Sequence, residues 1–281
     1  MTAVIDEKPM EKMLQGVDFP PCPAILVDLD KELNKECPDQ REIARLISKD
    51  VALSGRVMLI ANSPAFSTGH NLSSIIQALN VLGTQQVFNL VVAQLLKVAL
   101  AGKPEVGMDR FWESSAQTAR LSAEIAKRLR CVRPDIAYTF GLFRDCGIPL
   151  LMKRFPQTRE VLAEANAAEE MMFTAVEEKH LGTNHAVVGY FLAKRWRLPA
   201  DVTEAMLHHH DYSVLGNTAI VSATASALIS VSVLAEHIIR LHANGNGEQE
   251  WAKASPAACA VFGLSLAAVD DLIEDLLDWL G

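Results

Sequence analysis

Cysteine is sparse and unpatterned in this sequence: Cys22, Cys37, Cys131, Cys146 and Cys259 are odd in number, scattered and never spaced as C-x-x-C. That excludes a disulfide framework and a zinc ribbon, and fits a chain kept in reduced cytosol. Basic charge is short as well, with 26 Lys and Arg against 34 Asp and Glu for a formal net charge of −8. Broad electrostatic binding to nucleic acid or anionic lipid is therefore not expected. Period-two alternation bounded by Asn-Gly or Asp-Gly turns is almost absent, which removes the usual signals of hairpins and sheets. Met1 to Met10 carries Asp6, Glu7, Lys8 and Pro9 with no apolar stretch behind a basic start, so it does not read as a secretory signal.

What remains is apolar and helical. Half of the 281 residues are hydrophobic, enough to bury one large core or two smaller ones. Asp39 can cap a helix through Ile47, and Asp50 another through Ala61, before Asn62-Ser63-Pro64 breaks the run. Ser74 and Gln77 have capping-box spacing and open a helix that ends at Gly83, where Thr84 caps the next, which Gly102-Lys103-Pro104 ends. Further helices are expected over Phe111 to Leu129, Asp135 to Phe143, Thr158 to Ala168, Thr174 to His180, Asn184 to Trp196, Ala200 to His209, Thr218 to His242 and Leu266 to Leu280. Thr174 and Glu177 form a second capping box. The class is all-α. The polar link from Gly102 to Asp109 divides the chain into an extension at 1–18, an N-terminal helical lobe at 19–104 and a C-terminal lobe at 109–281.

Tyr212 to Ala235 contains no charged residue, and a membrane span needs about 20 mostly apolar residues. Its many Ser and Thr residues make it polar for a span, and Ser222, Ser226 and Ser230 recur on one helical stripe where another helix can approach closely. A buried central helix is the favoured reading, and no membrane partner is expected. The last helix carries Leu266, Val269, Leu272, Ile273, Leu276, Leu277 and Leu280 on one side and acids on the other, so it should dock by its leucine face.

Chemistry concentrates in the histidines: His180, His185 and the run His208-His209-His210, followed by Asp211. Imidazoles with a carboxylate suit a divalent metal, but successive helical residues point about 100° apart, so at most one or two of the run can face a common site. The same run also reads as a helix C-terminus favoured by the macrodipole. A second feature is Phe140-Gly-Leu-Phe-Arg144-Asp145-Cys146-Gly147-Ile-Pro149, an apolar helix ending in a charged pair and a glycine turn.

That turn resembles the His-Asp-Ile-Gly turn of the HD superfamily of metal-dependent phosphohydrolases, with Arg144 in place of the histidine and Cys146 in place of the isoleucine. Asp50 to Phe66 is similar to the signature of HDOD domains, the HD-related output domains of bacterial signalling proteins, as is Ser74 to Gly83. Phe111-Trp112, Asn184 to Gly189, Arg195 to Pro199 and His209-His210-Asp211 stand in that family's order, so the resemblance spans roughly residues 20–215. It implies a multi-helical HD-like fold in a bacterial, cytoplasmic protein. The superfamily's metal ligands carry over as Ser114 for the early histidine, Arg144-Asp145 for the His-Asp pair, and a late aspartate due near Ala225 or Ser226, where none exists. Asp145 alone survives of the four, and a guanidinium offers no lone pair to a metal.

The resemblance therefore implies a non-catalytic signal-transduction module acting through protein contacts, with a vestigial site at Ser114, Arg144 and Asp145 and no cofactor beyond a weakly held divalent ion. The alternative is a divergent metal-dependent phosphohydrolase acting on a nucleotide or other phosphoester, with Asp145, His185, His209 and His210 as metal ligands. Arg144 and Asp145 also read as a structural ion pair, or Arg144 as a small-anion site. A nucleic-acid reading rests only on Arg41, Arg45 and Arg56, and the acidic balance opposes it. Partners are expected to be other signalling proteins, with homo-oligomers as a further option.

Overall fold

The protein is seen here as a computed structural model that describes residues 7–63, 71–101, 108–243 and 248–280. The helices in chain order are α1 (Lys8–Lys12), α2 (Ala24–Leu33), α3 (Gln40–Ser48), α4 (Val51–Ala61), α5 (Ile75–Leu82) and α6 (Thr84–Ala101). Then follow α7 (Met108–Leu129), α8 (Pro134–Phe143), α9 (Gly147–Arg154), α10 (Thr158–Ala167), α11 (Phe173–Leu181), α12 (His185–Arg195) and α13 (Ala200–His208). A short 3-10 turn at Tyr212–Val214 leads to α14 (Ala223–His242), α15 (Glu248–Phe262) and α16 (Leu266–Leu280). No strand occurs among the described residues, and the fold is all-α.

Short polar side chains start several helices where the sequence expects them. Asp39 accepts from the Arg41 amide, Asp50 from Leu53, Ser74 from Gln77 and Asn184 from Val187, each satisfying an amide that the first turn leaves free. Thr174 does not cap: α11 begins one residue earlier behind Met172, and Glu177 is turned inward for another task. The expected helix from Thr218 starts instead at Ala223, where Ser222 caps the Ala225 amide. The chain breaks expected at Pro64 and at Gly102 to Pro104 lie outside the described residues.

α2 to α6 pack on one another, and α6 meets α8 across the middle of the molecule. There Asn89 donates to the buried Asp135, which also binds Arg133 on its other side, so the contact is tied by a charged group with partners on both flanks. α7 and α8 run close together because Gly141 faces the Ala119 backbone, with only 2.9 Å from the place of a Cβ to the Ala119 Cα. Phe140, Phe143 and Trp196 are fully buried in the same core, each contributing roughly 1.5–3 kcal/mol by leaving water. α14, the helix of the uncharged stretch, is long and apolar enough to cross a membrane, and it lies buried against α7, α8, α13 and α15. Its core hydroxyls return to the backbone, Ser230 to the Ser226 carbonyl and Ser232 to Ile229. The leucine face of α16 docks on α14 and α15 through Val269, Ile273 and Leu276.

Candidate metal centre

Three chain turns bring the chemistry together. α8 ends at Phe143, and a tight turn held by Cys146 N–H to Phe143 and Ile148 N–H to Asp145 projects the Asp145 carboxylate between α8 and α9. Gly147 keeps an ordinary backbone conformation as the first residue of α9, so it does not supply the flexible turn the sequence suggested. What it supplies is proximity: a Cβ there would lie 2.1 Å from the His185 carbonyl oxygen. His185 opens α12, and His209 and His210 follow the end of α13.

His185 Nε2 lies 3.0 Å from His209 Nε2 and 3.5 Å from Asp145 Oδ1, while His209 Nε2 lies 3.2 Å from the same oxygen. His210 adds a fourth donor, with one ligand atom of each of the four within 4.8 Å of the others. The outer ring nitrogens are already committed. His209 Nδ1 donates to the Met206 carbonyl at 2.8 Å, and His185 Nδ1 donates to Glu177 at 2.6 Å. Each imidazole thus directs Nε2, with its lone pair, at the Asp145 oxygen. Three electron-rich atoms meeting at these distances need a positive charge among them, either a proton or a metal ion.

Without a metal the proton resides on His185. Burial pulls its affinity down, but the Glu177 and Asp145 carboxylates outweigh burial and hold its pKa up at about 10. Burial lowers His209, so that ring stays neutral and accepts. Asp145 is held well below the usual carboxylate range: burial opposes this, and Arg144 and the two imidazoles overcome it.

The donor set also fits a divalent ion. A point equidistant from the three facing atoms lies about 1.9 Å from each, near the roughly 2.0–2.1 Å of zinc–nitrogen bonds. Two imidazoles and a carboxylate suit Zn²⁺, Fe²⁺ or Mn²⁺. Glu177 and the Met206 carbonyl provide the outer hydrogen bonds that orient ligating histidines and set their tautomer.

One flank is closed by charge. Arg144, only 5% exposed, donates to the other Asp145 oxygen at 3.1 Å and to Glu236 of α14. Beyond Glu236, a crevice lined by Val233, His237, Arg240, Glu250 and Trp251 is too narrow to admit a water molecule. Beside the imidazoles Phe173 stacks on His210 at 4.6 Å and meets His185 edge-on at 5.5 Å. His210 lies 3.2 Å from Glu250 of α15, which also accepts from the Tyr212 hydroxyl at 2.6 Å and pairs with Lys253. Burial pulls His210 down to about 3, so the ring is neutral at ordinary pH.

Glu250 is held at about 2: burial pushes it up, and the hydrogen bonds from His210 and the Tyr212 hydroxyl together with the Lys253 charge outweigh burial. A carboxylate depressed in the folded state stabilises above its unfolded pKa and loses that contribution as pH falls through the folded value. Acid unfolding followed by circular dichroism should therefore show a loss of stability between pH about 4.5 and about 2. Glu250→Gln should lack that component, and an unchanged acid profile would remove Glu250 from the network.

Of the residues singled out from sequence, Asp145, His185, His209 and His210 converge, with Arg144 bonded to Asp145. Ser114 sits on the exposed face of α7 and makes none of the hydrogen bonds that join the cluster. His180 pairs with Glu164 at the surface instead. Ala225 and Ser226 are buried without an acid, and the carboxylate that α14 sends to the site is Glu236, about three turns further on. Glu177, Glu236, Glu250 and Tyr212 escaped the sequence reading. Glu177 was hidden by its capping-box spacing, whereas Glu236, the first charge after a long uncharged stretch, was a usable signal.

Comparison with known proteins agrees with this architecture. Residues 19–212 match the model of the HDOD domain. A crystal structure of an HDOD domain protein of unknown function from Geobacter sulfurreducens superposes with a TM-score of 0.64 at 26% identity, covering 96% of this chain and 95% of that one. A Shewanella amazonensis protein provisionally named a phosphohydrolase superposes at 0.67 and 22% identity, over 94% and 93% of the two chains. A Marinobacter aquaeolei protein provisionally named for signal transduction superposes at 0.67 and 21% identity, over 99% of this chain and 60% of that one. Among curated sequences, an uncharacterized Treponema pallidum protein is 24% identical over 204 residues, a match that spans 69% of this chain and 38% of that relative.

Proposed function

The chain belongs to the HDOD family, and from that premise we propose that it is a signal-transduction module that works through contacts with other proteins. In this reading its buried centre holds a divalent ion at Asp145, His185 and His209 without turning over a phosphoester. Five free cysteines suit a cytoplasmic setting. The observation that carries the reading is Arg144. A hydrolytic centre needs an open position for water and substrate beside the metal. Here a buried guanidinium occupies the Asp145 flank and is itself locked to Glu236.

A divalent ion supplies two things to such a centre: a fixed geometry for its ligands and, where a water can reach it, a Lewis acid. The residues of this chain favour the first. Glu177 orients His185, the Met206 carbonyl orients His209, and Phe173 screens the rings from solvent. A change at the centre can reach α8, α9, α12, α13 and, through Glu236 and Glu250, α14 and α15.

A second reading, a divergent metal-dependent phosphohydrolase, is favoured by the convergence of Asp145, His185 and His209 on one point. One experiment separates the two. Purified protein, dialysed and then loaded with Zn²⁺ or Mn²⁺, is expected to retain close to one ion per chain and to leave nucleotides and cyclic dinucleotides intact. Hydrolysis that disappears in Asp145→Ala would establish the phosphohydrolase, and absence of a retained ion would sink the metal centre in both readings.

A further inference from the structure

Residues 7–18, ahead of the family match, lie across the molecule as a strap. From Glu7 through α1 to Asp18 the chain follows α12 before Phe19 and Pro20 anchor it, with Arg195 over the Phe19 ring and Trp196 donating to the Pro20 carbonyl. Met10, Met13, Leu14 and Phe19 pack with Leu207 on Val187, Tyr190 and Phe191, and Leu14, Val17 and Phe19 also touch the main core. The ends are polar. The Tyr190 hydroxyl donates to Glu7 at 2.5 Å, Lys194 pairs with the same carboxylate, and Asp18 faces Lys153 at 3.5 Å.

Cover and covered surface are unequal. Val187, Tyr190 and Phe191 are buried, yet α1 buries none of its own residues. A helix of five residues is far below the roughly 12–15 at which helices begin to hold by themselves. Exposed ion pairs such as Asp18–Lys153 add little. Behind the helix, Gly16 takes a φ of 77°, and Arg154 occupies the space a side chain would need. Four basic side chains, Lys153, Arg154, Lys194 and Arg195, meet the strap on a chain whose net charge is −8.

We infer that α12 carries a docking groove for a short segment of a partner protein, and that residues 7–18 occupy this groove in cis. The strap states the chemistry of the segment it gives way to: an acidic residue, then methionine or leucine three, six and seven positions later, as in Glu7 just ahead of α1, Met10 within it and Met13 and Leu14 just after it. The acid meets Lys194 and Tyr190, and the apolar side chains fill the Val187, Tyr190 and Phe191 surface. Held on the same chain, the strap acts at an effective concentration on the order of millimolar, so it displaces weak or mismatched competitors. His185 is the first residue of the same helix, which places a partner on the element that supplies the centre. The groove goes beyond the proposed function and does not depend on an ion being bound.

The test uses a fluorescent peptide with the sequence of residues 5–19, titrated into the full chain and read by anisotropy. The full chain carrying Met10→Asp and Met13→Asp should bind it at least about tenfold more tightly than the wild type, because the cis competitor is weakened. Adding Lys194→Glu should reverse about tenfold of that binding, whereas Lys194→Arg should preserve it. Equal binding by wild type and strap variant overturns the inference, as does indifference to Lys194→Glu. Wild-type dimers formed by exchange of the strap would overturn the assignment to a distinct partner and put a second copy in its place. If the strap variant does not fold, hydrogen exchange of the wild type decides: Met13 and Leu14 amides should exchange at least about a hundredfold faster than Val188 in α12, and equal protection refutes a displaceable strap.

Discussion

Asp145→Ala is expected to cost about 3–5 kcal/mol of stability, the usual range for removing one partner of a buried charge pair, and to abolish divalent-ion binding. The two oxygens of this carboxylate do different work. Oδ2 accepts from Arg144 at 3.1 Å, and Oδ1 faces both imidazole Nε2 atoms. Its loss leaves the buried guanidinium with Glu236 alone and removes the anion that stabilises a charged His185. Urea unfolding reads the first effect, and calorimetric titration with Zn²⁺ or Mn²⁺ reads the second. Glu236→Gln makes a useful contrast, since Glu236 touches Arg144 but none of the facing histidine nitrogens. It should lower stability by less and leave ion affinity within a few-fold of the wild type. Wild-type ion affinity in Asp145→Ala would take Asp145 out of the ligand set.

The contrast between those two acids shows what a linear sequence can carry. Asp145 is found through its neighbours, since an apolar helix ending in Arg-Asp-Cys-Gly marks the place of a known turn. Glu236 has no such local setting, because its partner Arg144 is 92 residues away and only the packing of α14 on α8 brings them together. Glu250 and His210 are joined across 40 residues in the same way. Glu177 is the harder case. Its spacing from Thr174 matches a capping box, a local rule that tertiary structure overrides by giving the carboxylate to the His185 ring and amide.

Helices divide along the same line. Of those opened by a side-chain cap, α3, α4, α5 and α12 begin where the sequence places them, whereas α14, capped by Ser222, begins five residues later than expected. α2, α9 and α15 were not expected, and each carries a local signal against helix. α2 follows a run of prolines with no side-chain cap, α9 starts with glycine and holds Pro149, and α15 contains Pro256. Packing supplies what their first turns lack, as α9 lies on α12 and α15 on α14. Both are elements that close the centre, so local propensity is least informative where the site is assembled.

Gly147→Ala is the sharpest test of that assembly, with an expected loss of about 3 kcal/mol or more, at the upper end of overpacking costs. The added methyl would lie 2.1 Å from the His185 carbonyl oxygen and 2.9 Å from its Cα. Both obstacles are backbone, so no side-chain rotation relieves them, and α9 and α12 must separate. His185 starts α12, and its Nε2 stands 3.0 Å from His209 Nε2. A shift of even half an ångström at that point misplaces one of three facing donors. Stability and ion binding should therefore fall together in Gly147→Ala, although the substituted residue is not a ligand. Gly55→Ala provides the opposite sign within the same protein. Gly55 lies inside α4 with nothing within 4 Å of a new Cβ, so alanine there should stabilise by about 0.5–1 kcal/mol through helix propensity. Unfolding curves and ion titrations on the two variants give the comparison. Gly147→Ala with wild-type stability and affinity would show that α9 and α12 part without cost, and that the position of His185 is not set by this contact.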